Sequence, residues 1–157
     1  MHFSSVRRAM PQQSTEADFL ILLVEDEESD AIALQRALRR HGVKSPVRWV
    51  KDGLEALDYL QDENNVAAKP DLIILDLRMP RMSGLELLAW LHDRPSLRTI
   101  PTIVMSSSSS KEDIQQAYAL GAHTYTVKPA DFGSLVKLVH SAYASWASRL
   151  VCPRAVS

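Results

Sequence analysis

Five polar residues at the ends of short apolar runs are the part of this sequence best suited to chemistry. They are three acids, of which two are adjacent, a hydroxyl and an amine: Glu25, Asp26, Asp76, Ser106 and Lys128. In an open parallel sheet, ligands bind outside the carboxyl ends of the strands, so residues at such positions would share one edge. Clustered carboxylates repel each other. Mg²⁺ relieves that repulsion and often links carboxylates to a phosphoryl group, so the set predicts a site for magnesium and phosphoryl chemistry.

Asp76 is also a candidate nucleophile, because a carboxylate is ionised at neutral pH and needs no general base. Lys128 would place a positive charge on a phosphoryl oxygen, and Ser106 would donate a hydrogen bond to another. A plainer interpretation of Glu25 and Asp26 stays open. Further acids follow them along the chain, and acids are common in the first turn of a helix without any ligand.

Five short, mostly apolar runs precede or carry these residues and are typical of strands buried on both faces of a parallel sheet. They are Leu20–Val24, Val47–Val50, Leu72–Leu75, Thr102–Met105 and Thr124–Val127. Segments with helical periodicity lie between and after them. Gly42 is placed to end the first helix, Ser110 to begin the fourth and Gly121 to end it. Strict alternation predicts an α/β domain, a doubly wound five-stranded parallel sheet.

Composition limits the domain organisation and the function classes. The chain has 157 residues, a formal net charge of −1, 46% hydrophobic and 24% charged residues, which suits one globular domain. We expect a flexible arm over residues 1–18, a domain over 19–149 and a short tail over 150–157. Near-neutral charge gives no argument for DNA, and the longest apolar run, Phe19–Val24, is too short to cross a membrane.

The sequence lacks a second cysteine and a secretory signal, which limits the kinds of metal site and the cellular location that we expect. Cys152 is the single cysteine, so an internal disulfide or a metal site with several cysteine ligands is excluded. Arg7 and Arg8 are not followed by the apolar stretch of a secretory signal. We therefore expect a cytoplasmic protein.

Several motifs together resemble the CheY-like response-regulator receiver domain over about residues 19–147. They are Leu22-Leu23-Val24-Glu25-Asp26, Leu75-Asp76-Leu77-Arg78-Met79-Pro80 with Gly84, Ser106, and Gly121-Ala122 leading to Tyr125 and Lys128-Pro129. The resemblance implies the strand order 2-1-3-4-5, which is known for CheY itself. It implies that Asp76 accepts a phosphoryl group from a histidine kinase. Asp26 would bind Mg²⁺ directly, Glu25 through water, and Arg78 through its main-chain carbonyl.

The resemblance also assigns the residues around the phosphoryl group. Ser106 and Lys128 would bind its oxygens, Ser106 and Tyr125 would act as the switch pair, and the Lys128–Pro129 bond would be cis. Glu25 stands where an aspartate is commoner in the family. Arg78 and Ser107 occupy positions beside the site that tune the lifetime of the phosphoryl group.

Loop lengths, including the segment from Asp62 to Pro70, look like those of standalone receivers that serve phytochromes. The implied partners are a sensor histidine kinase of the bacteriophytochrome type and a downstream protein that carries the output. The fifth helical segment, which follows Thr124–Val127 and contains Leu135, Leu138 and Trp146, is apolar on more than one face. We therefore also expect a homodimer through strand 4, strand 5 and this helix 5. The implied protein is a phosphoacceptor that assists its own phosphorylation and dephosphorylation, and it is not an enzyme in the usual sense.

Three other functions fit the same fold class. The first is a receiver-like interaction module that works without phosphorylation. A flavin-binding module would need a loop rich in glycine or hydroxyl residues after strand 1, where the chain has consecutive acids from Glu25 to Glu28. A metal-dependent phosphohydrolase would need a second acid two residues after Asp76, where the chain has Arg78.

Overall fold

Five strands and five helices alternate along the chain in a computed structural model that describes residues 15–62, 69–128 and 132–151. The strands are β1 (Ile21–Val24), β2 (Val47–Val50), β3 (Leu72–Leu75), β4 (Thr102–Ser106) and β5 (Thr124–Val127). The helices are α1 (Glu28–Arg40), α2 (Gly53–Gln61), α3 (Gly84–His92), α4 (Lys111–Ala119) and α5 (Gly133–Val151). The cis bond expected at Pro129 and residues 1–14 of the expected arm lie outside the described residues.

The strands form one parallel sheet in the order β2-β1-β3-β4-β5, as expected. Every residue of β1, β3 and β4 is buried, which explains why their sequences are mostly apolar rather than alternating. In register, Val24 lies beside Leu75, so the residues that follow β1 and β3 leave the sheet next to each other. The sheet therefore brings distant acids to one edge.

Two apolar layers cover the two faces of the sheet. Leu22, Val24, Ile73 and Leu75 face α2, α3 and α4, whereas Ile21, Leu23, Leu72 and Ile74 face α1 and α5. Period-two alternation of the strand side chains produces this division. Burial of these side chains fixes the strands in register. The fixed register in turn sets where the loops leave the carboxyl edge of the sheet.

The predicted helix boundaries are confirmed at three positions. Gly42 and Gly121 follow α1 and α4 with φ of +87° and +102°, a conformation that favours glycine. The Ser110 side chain accepts a hydrogen bond from the Asp113 amide at the start of α4. β4 extends one residue beyond its predicted end, so Ser106 lies within the strand.

Both ends of the domain contain ordered structure near the predicted boundaries. Residues Glu16–Asp18, within the segment assigned to the arm, form a short 3-10 helix that Thr15 caps. Phe19 is buried against Tyr143 and Trp146 of α5, with ring centroids 5.5 and 5.2 Å apart. In the described part of the chain, no helix combines the length and apolarity that crossing a bilayer requires.

Candidate functional site

Three carboxylates meet at the carboxyl edge of the sheet. Glu25 and Asp26 follow β1, Asp76 follows β3, and one oxygen from each lies within 4.8 Å of the others. Glu25 is 1% exposed and Asp76 is 5% exposed, so bulk solvent solvates neither carboxylate fully. This closeness agrees with the expectation that Glu25, Asp26 and Asp76 converge.

Lys128 reaches the carboxylates from the far edge of the sheet, where it follows β5. Its Nζ lies 2.9 Å from a Glu25 oxygen, 3.1 Å from an Asp76 oxygen and 2.9 Å from an oxygen of Asp30 on α1. Its main-chain N–H donates to the carbonyl of Ser106 at 2.7 Å, which ties the residue to the end of β4. The lysine is therefore held at both its backbone and its side chain.

The electrostatics of the site show an excess of negative charge. Burial raises the pKa of Glu25 to about 7, although its contact with Lys128 opposes this rise. Burial lowers the pKa of Lys128, but Asp30, Glu25 and Asp76 outweigh that effect, and the net result is a raised pKa. One ammonium group thus serves several carboxylates and cannot neutralise them all.

The donor set fits a hard divalent cation. Oδ1 of Asp26 is buried and has no hydrogen-bond partner among the described residues, which is costly for a charged oxygen unless something binds it. Carboxylate oxygens are the ligands that Mg²⁺ prefers. The main-chain N–H of Arg78 donates to Asp76 Oδ1 at 3.2 Å, so this residue lies beside the acid, and the role of its carbonyl stays a prediction.

Gly84 allows α3 to begin against the end of β3. A Cβ at this position would lie 2.7 Å from the Cα of Leu77 and would also collide with the carbonyl oxygen of Asp76. The Gly84 amide donates to the Leu77 carbonyl at 2.9 Å. A side chain there would displace the backbone that carries Asp76.

Ser106 and Tyr125 both contact the loop between β4 and α4. Ser106 is fully buried and its Oγ accepts from the Ser108 amide at 3.2 Å. Tyr125 is half-buried and its hydroxyl donates to the Ser108 carbonyl at 2.8 Å. The two expected switch residues are therefore joined through one loop residue.

Sequence reasoning missed several polar contacts around the site. Asp30 belonged to an acidic run that reads as a solvated helix start, yet it pairs with Lys128. Arg81 adopts φ of +67° and forms an ion pair with Asp52, the cap of α2. Asp113, in the first turn of α4, forms an ion pair with Arg78. Each contact depends on how two loops approach one another, for which the sequence holds no periodic signal.

Comparison with known protein families gives a match over most of the chain. The family described as the response regulator receiver domain matches residues 21–140. That range includes all five strands and every candidate site residue.

Individual relatives are similar to the chain over most of their own length. A probable methanogenesis regulatory protein, FilR2 of Methanothrix harundinacea, is 36% identical over 132 residues, covering 83% of this chain and 85% of FilR2. Response regulator Rcp1 of Synechocystis is 31% identical over 138 residues, covering 87% of this chain and 94% of Rcp1. The crystal structure of the Mn²⁺-bound form of Rcp1 aligns with a TM-score of 0.69 at 32% identity, over 82% of this chain and 94% of the other.

The phosphorylated form of RcpA, a cyanobacterial phytochrome response regulator, aligns equally well. The TM-score is 0.70 at 38% identity, over 84% of this chain and 96% of RcpA.

Proposed function

Because the chain belongs to the response-regulator receiver family, we propose that it is a single-domain response regulator that accepts a phosphoryl group on Asp76 from a histidine kinase. The observation that carries the proposal is the contact of Lys128 with Asp76 inside a group of buried carboxylates. Asp76 lies at the end of a buried central strand, and its immediate neighbours supply both charge signs. The arrangement suits a carboxylate that must receive a phosphoryl group and then hold it.

The transfer step needs few groups. A carboxylate oxygen of Asp76 forms a new P–O bond while the P–N bond to the histidine of the kinase breaks, and the imidazole leaves with the electron pair and takes a proton from water. Asp76 needs no general base because a carboxylate is itself a nucleophile. Lys128 would stay beside the phosphoryl oxygens, and Ser106 would donate its hydroxyl to one of them.

Asp26, Glu25, Asp76 and the main-chain carbonyl of Arg78 would hold Mg²⁺. When bound, the ion would neutralise charge on the carboxylates and on the phosphoryl oxygens. The unpartnered buried oxygen of Asp26 supports its role as a direct ligand. Glu25 has one more methylene than aspartate, and its pairing with Lys128 suits a contact through water better than direct binding.

The switch would act through Ser106, Tyr125 and the β4–α4 loop. A phosphoryl group on Asp76 that draws Ser106 toward it would pull on the Ser108 amide that Ser106 now accepts from. Tyr125 holds the carbonyl of the same residue, so its position would change as well. Phosphorylation would thereby shift an equilibrium between two loop arrangements. The size of the shift is set by how much more favourably the phosphoryl group interacts with one arrangement than with the other.

The partners follow from the family and its relatives. Receivers pair with histidine kinases, and we propose a kinase of the phytochrome type because phytochrome regulators are among the most similar structures. The output would pass to a separate protein, and we propose that the reaction takes place in the cytoplasm. A homodimer through β4, β5 and α5 stays part of the proposal.

The experiment that tests the proposal is transfer of radiolabelled phosphoryl from candidate kinases with Mg²⁺. Asp76→Asn keeps the shape but removes the nucleophilic carboxylate, so we expect labelling to disappear. Asp58→Asn changes an exposed acid on α2 and should label like the wild type. Labelling that persists in Asp76→Asn would place the acceptor elsewhere, and a wild-type chain that no donor labels would favour the phosphorylation-independent module.

A further inference from the structure

A hydrogen-bonded cluster joins the two loops that flank Asp76. Arg78 in the β3–α3 loop pairs with Asp113, its Nη2 lying 3.2 Å from Oδ2. The Ser108 hydroxyl in the β4–α4 loop donates to the same oxygen at 2.6 Å. One carboxylate oxygen of Asp113 thus contacts both Arg78, which lies beside Asp76, and Ser108, which lies in the β4–α4 loop.

The cluster is anchored at both ends. The Asp113 amide donates to Ser110 Oγ, so its backbone is fixed in the first turn of α4. The Arg78 amide donates to Asp76 Oδ1, so the arginine begins next to the acceptor. Its side chain is 68% exposed and extends away from its own main-chain contact to reach Asp113.

We propose that Asp113 is a positioning residue that competes with the phosphoryl group on Asp76 for the guanidinium of Arg78. The inference rests on the proposed function. A phosphoryl group carries about two negative charges against one for a carboxylate, so it attracts a cation on a nearby loop. We expect Arg78 to turn toward the phosphoryl group by leaving Asp113, which its Nη2 now contacts at 3.2 Å. The carboxylate of Asp113 therefore opposes the phosphorylated arrangement.

The competition reaches Tyr125 through Ser108. When Arg78 departs, Asp113 keeps only the Ser108 hydroxyl as a side-chain partner among the contacts described. The Ser108 carbonyl is the acceptor of the Tyr125 hydroxyl. A change in the position of Asp113 would thus alter the surroundings of the Tyr125 ring, so a signal from that ring reports on the cluster.

The test uses beryllofluoride, a phosphoryl analogue, with Mg²⁺ on the full chain labelled with 3-fluorotyrosine. The Tyr125 fluorine resonance is assigned by its loss in Tyr125→Phe. Asp113→Asn removes the charge but keeps an oxygen for Ser108. Because exposed ion pairs contribute about 0.2–1 kcal/mol, the half-saturating beryllofluoride concentration should fall about 1.4- to fivefold. The Tyr125 resonance should also shift before any ligand is added.

Two comparisons separate this role from a general effect. Glu112→Gln removes an equal charge from the same turn of α4 and should leave half-saturation unchanged. In an Arg78→Ala background, Asp113→Asn should not change half-saturation further, because the guanidinium for which Asp113 competes has been removed. Thermal unfolding by circular dichroism checks that each variant is folded.

An equal effect of Asp113→Asn with and without Arg78, or an equal effect of Glu112→Gln, would overturn the inference while leaving the proposed function intact. A wild-type chain that shows no saturation at all would overturn both.

Discussion

At the scale of single residues, Lys128 is the cation on which the buried carboxylates depend. Lys128→Met keeps most of the side-chain volume and removes the charge. The carboxylates then repel one another, and a bound cation relieves the repulsion. We expect the metal-free protein to unfold at a lower temperature and the rise in Tm caused by Mg²⁺ to be larger than in the wild type, because binding to the folded state stabilises it.

Differential scanning fluorimetry with and without MgCl₂ measures both quantities. Lys111→Met removes an exposed lysine on α4 and serves as the control, with an unchanged response to Mg²⁺. A smaller Mg²⁺ response in Lys128→Met than in the wild type would show that the lysine does not offset the carboxylates.

Glu25 gives the site a pH dependence. Burial raises its pKa from the usual 4.5 to about 7, so the folded state holds this proton more tightly than the unfolded state. The resulting stabilisation is present in full below pH 4.5 and is lost as the pH rises toward 7. We expect the metal-free protein to lose unfolding free energy over this window, and Glu25→Gln to lose less. Urea titrations across the window measure the difference, and parallel curves for the two proteins would contradict the prediction.

At the scale of elements, Gly84 sets the distance between α3 and the strand that carries Asp76. In Gly84→Ala the added Cβ meets backbone atoms, so the start of α3 must move and we expect a loss of about 1–3 kcal/mol in unfolding free energy. Phosphorylation of Asp76 should slow as well, because the added Cβ collides with the backbone of Asp76 and Leu77. Chemical denaturation and labelling rates measure the two effects.

Gly42→Ala is the matched control for Gly84→Ala. It meets no atom within 4 Å but retains an unfavourable positive φ, so it should cost stability and leave labelling unchanged. If both variants slow labelling equally, the close approach at Gly84 has no special role in placing Asp76.

The elements also show why much of the fold was predictable. The apolar run of β3 and the glycines after α1 and α4 are local signals with local causes, and the structure follows them. The meeting of Glu25, Asp26 and Asp76 was predictable because parallel strands align their ends. The pairing of Asp30 with Lys128 was not, because it depends on how α1 packs beside the end of β5.

At the scale of the whole molecule, much of the apolar surface that suggested a dimer is already used. Tyr143 and Trp146 of α5 pack on Phe19, so they do not form a free patch. Tyr118 and Val127 remain, at 47% and 42% exposed, near the β5 edge. A dimer through this side would therefore involve α4 and β5 more than the sequence of α5 indicates.

Analytical ultracentrifugation at high micromolar concentration tests the dimer, with and without beryllofluoride. Val127→Ser should weaken association because it removes apolar surface from the proposed interface. Leu54→Ser is the control, since Leu54 is similarly exposed on α2, away from β5. Only monomer in all conditions would remove the dimer from the proposal.

The proposed function depends above all on Asp76 being the residue that receives the phosphoryl group. The most direct measurement is to phosphorylate the chain with a kinase and Mg²⁺, reduce the acyl phosphate with borohydride and locate the reduced residue by peptide mass spectrometry. We expect one modified position, Asp76, and no modification when Mg²⁺ is removed. Reduction at another acid, with Asp76 unmodified, would contradict it.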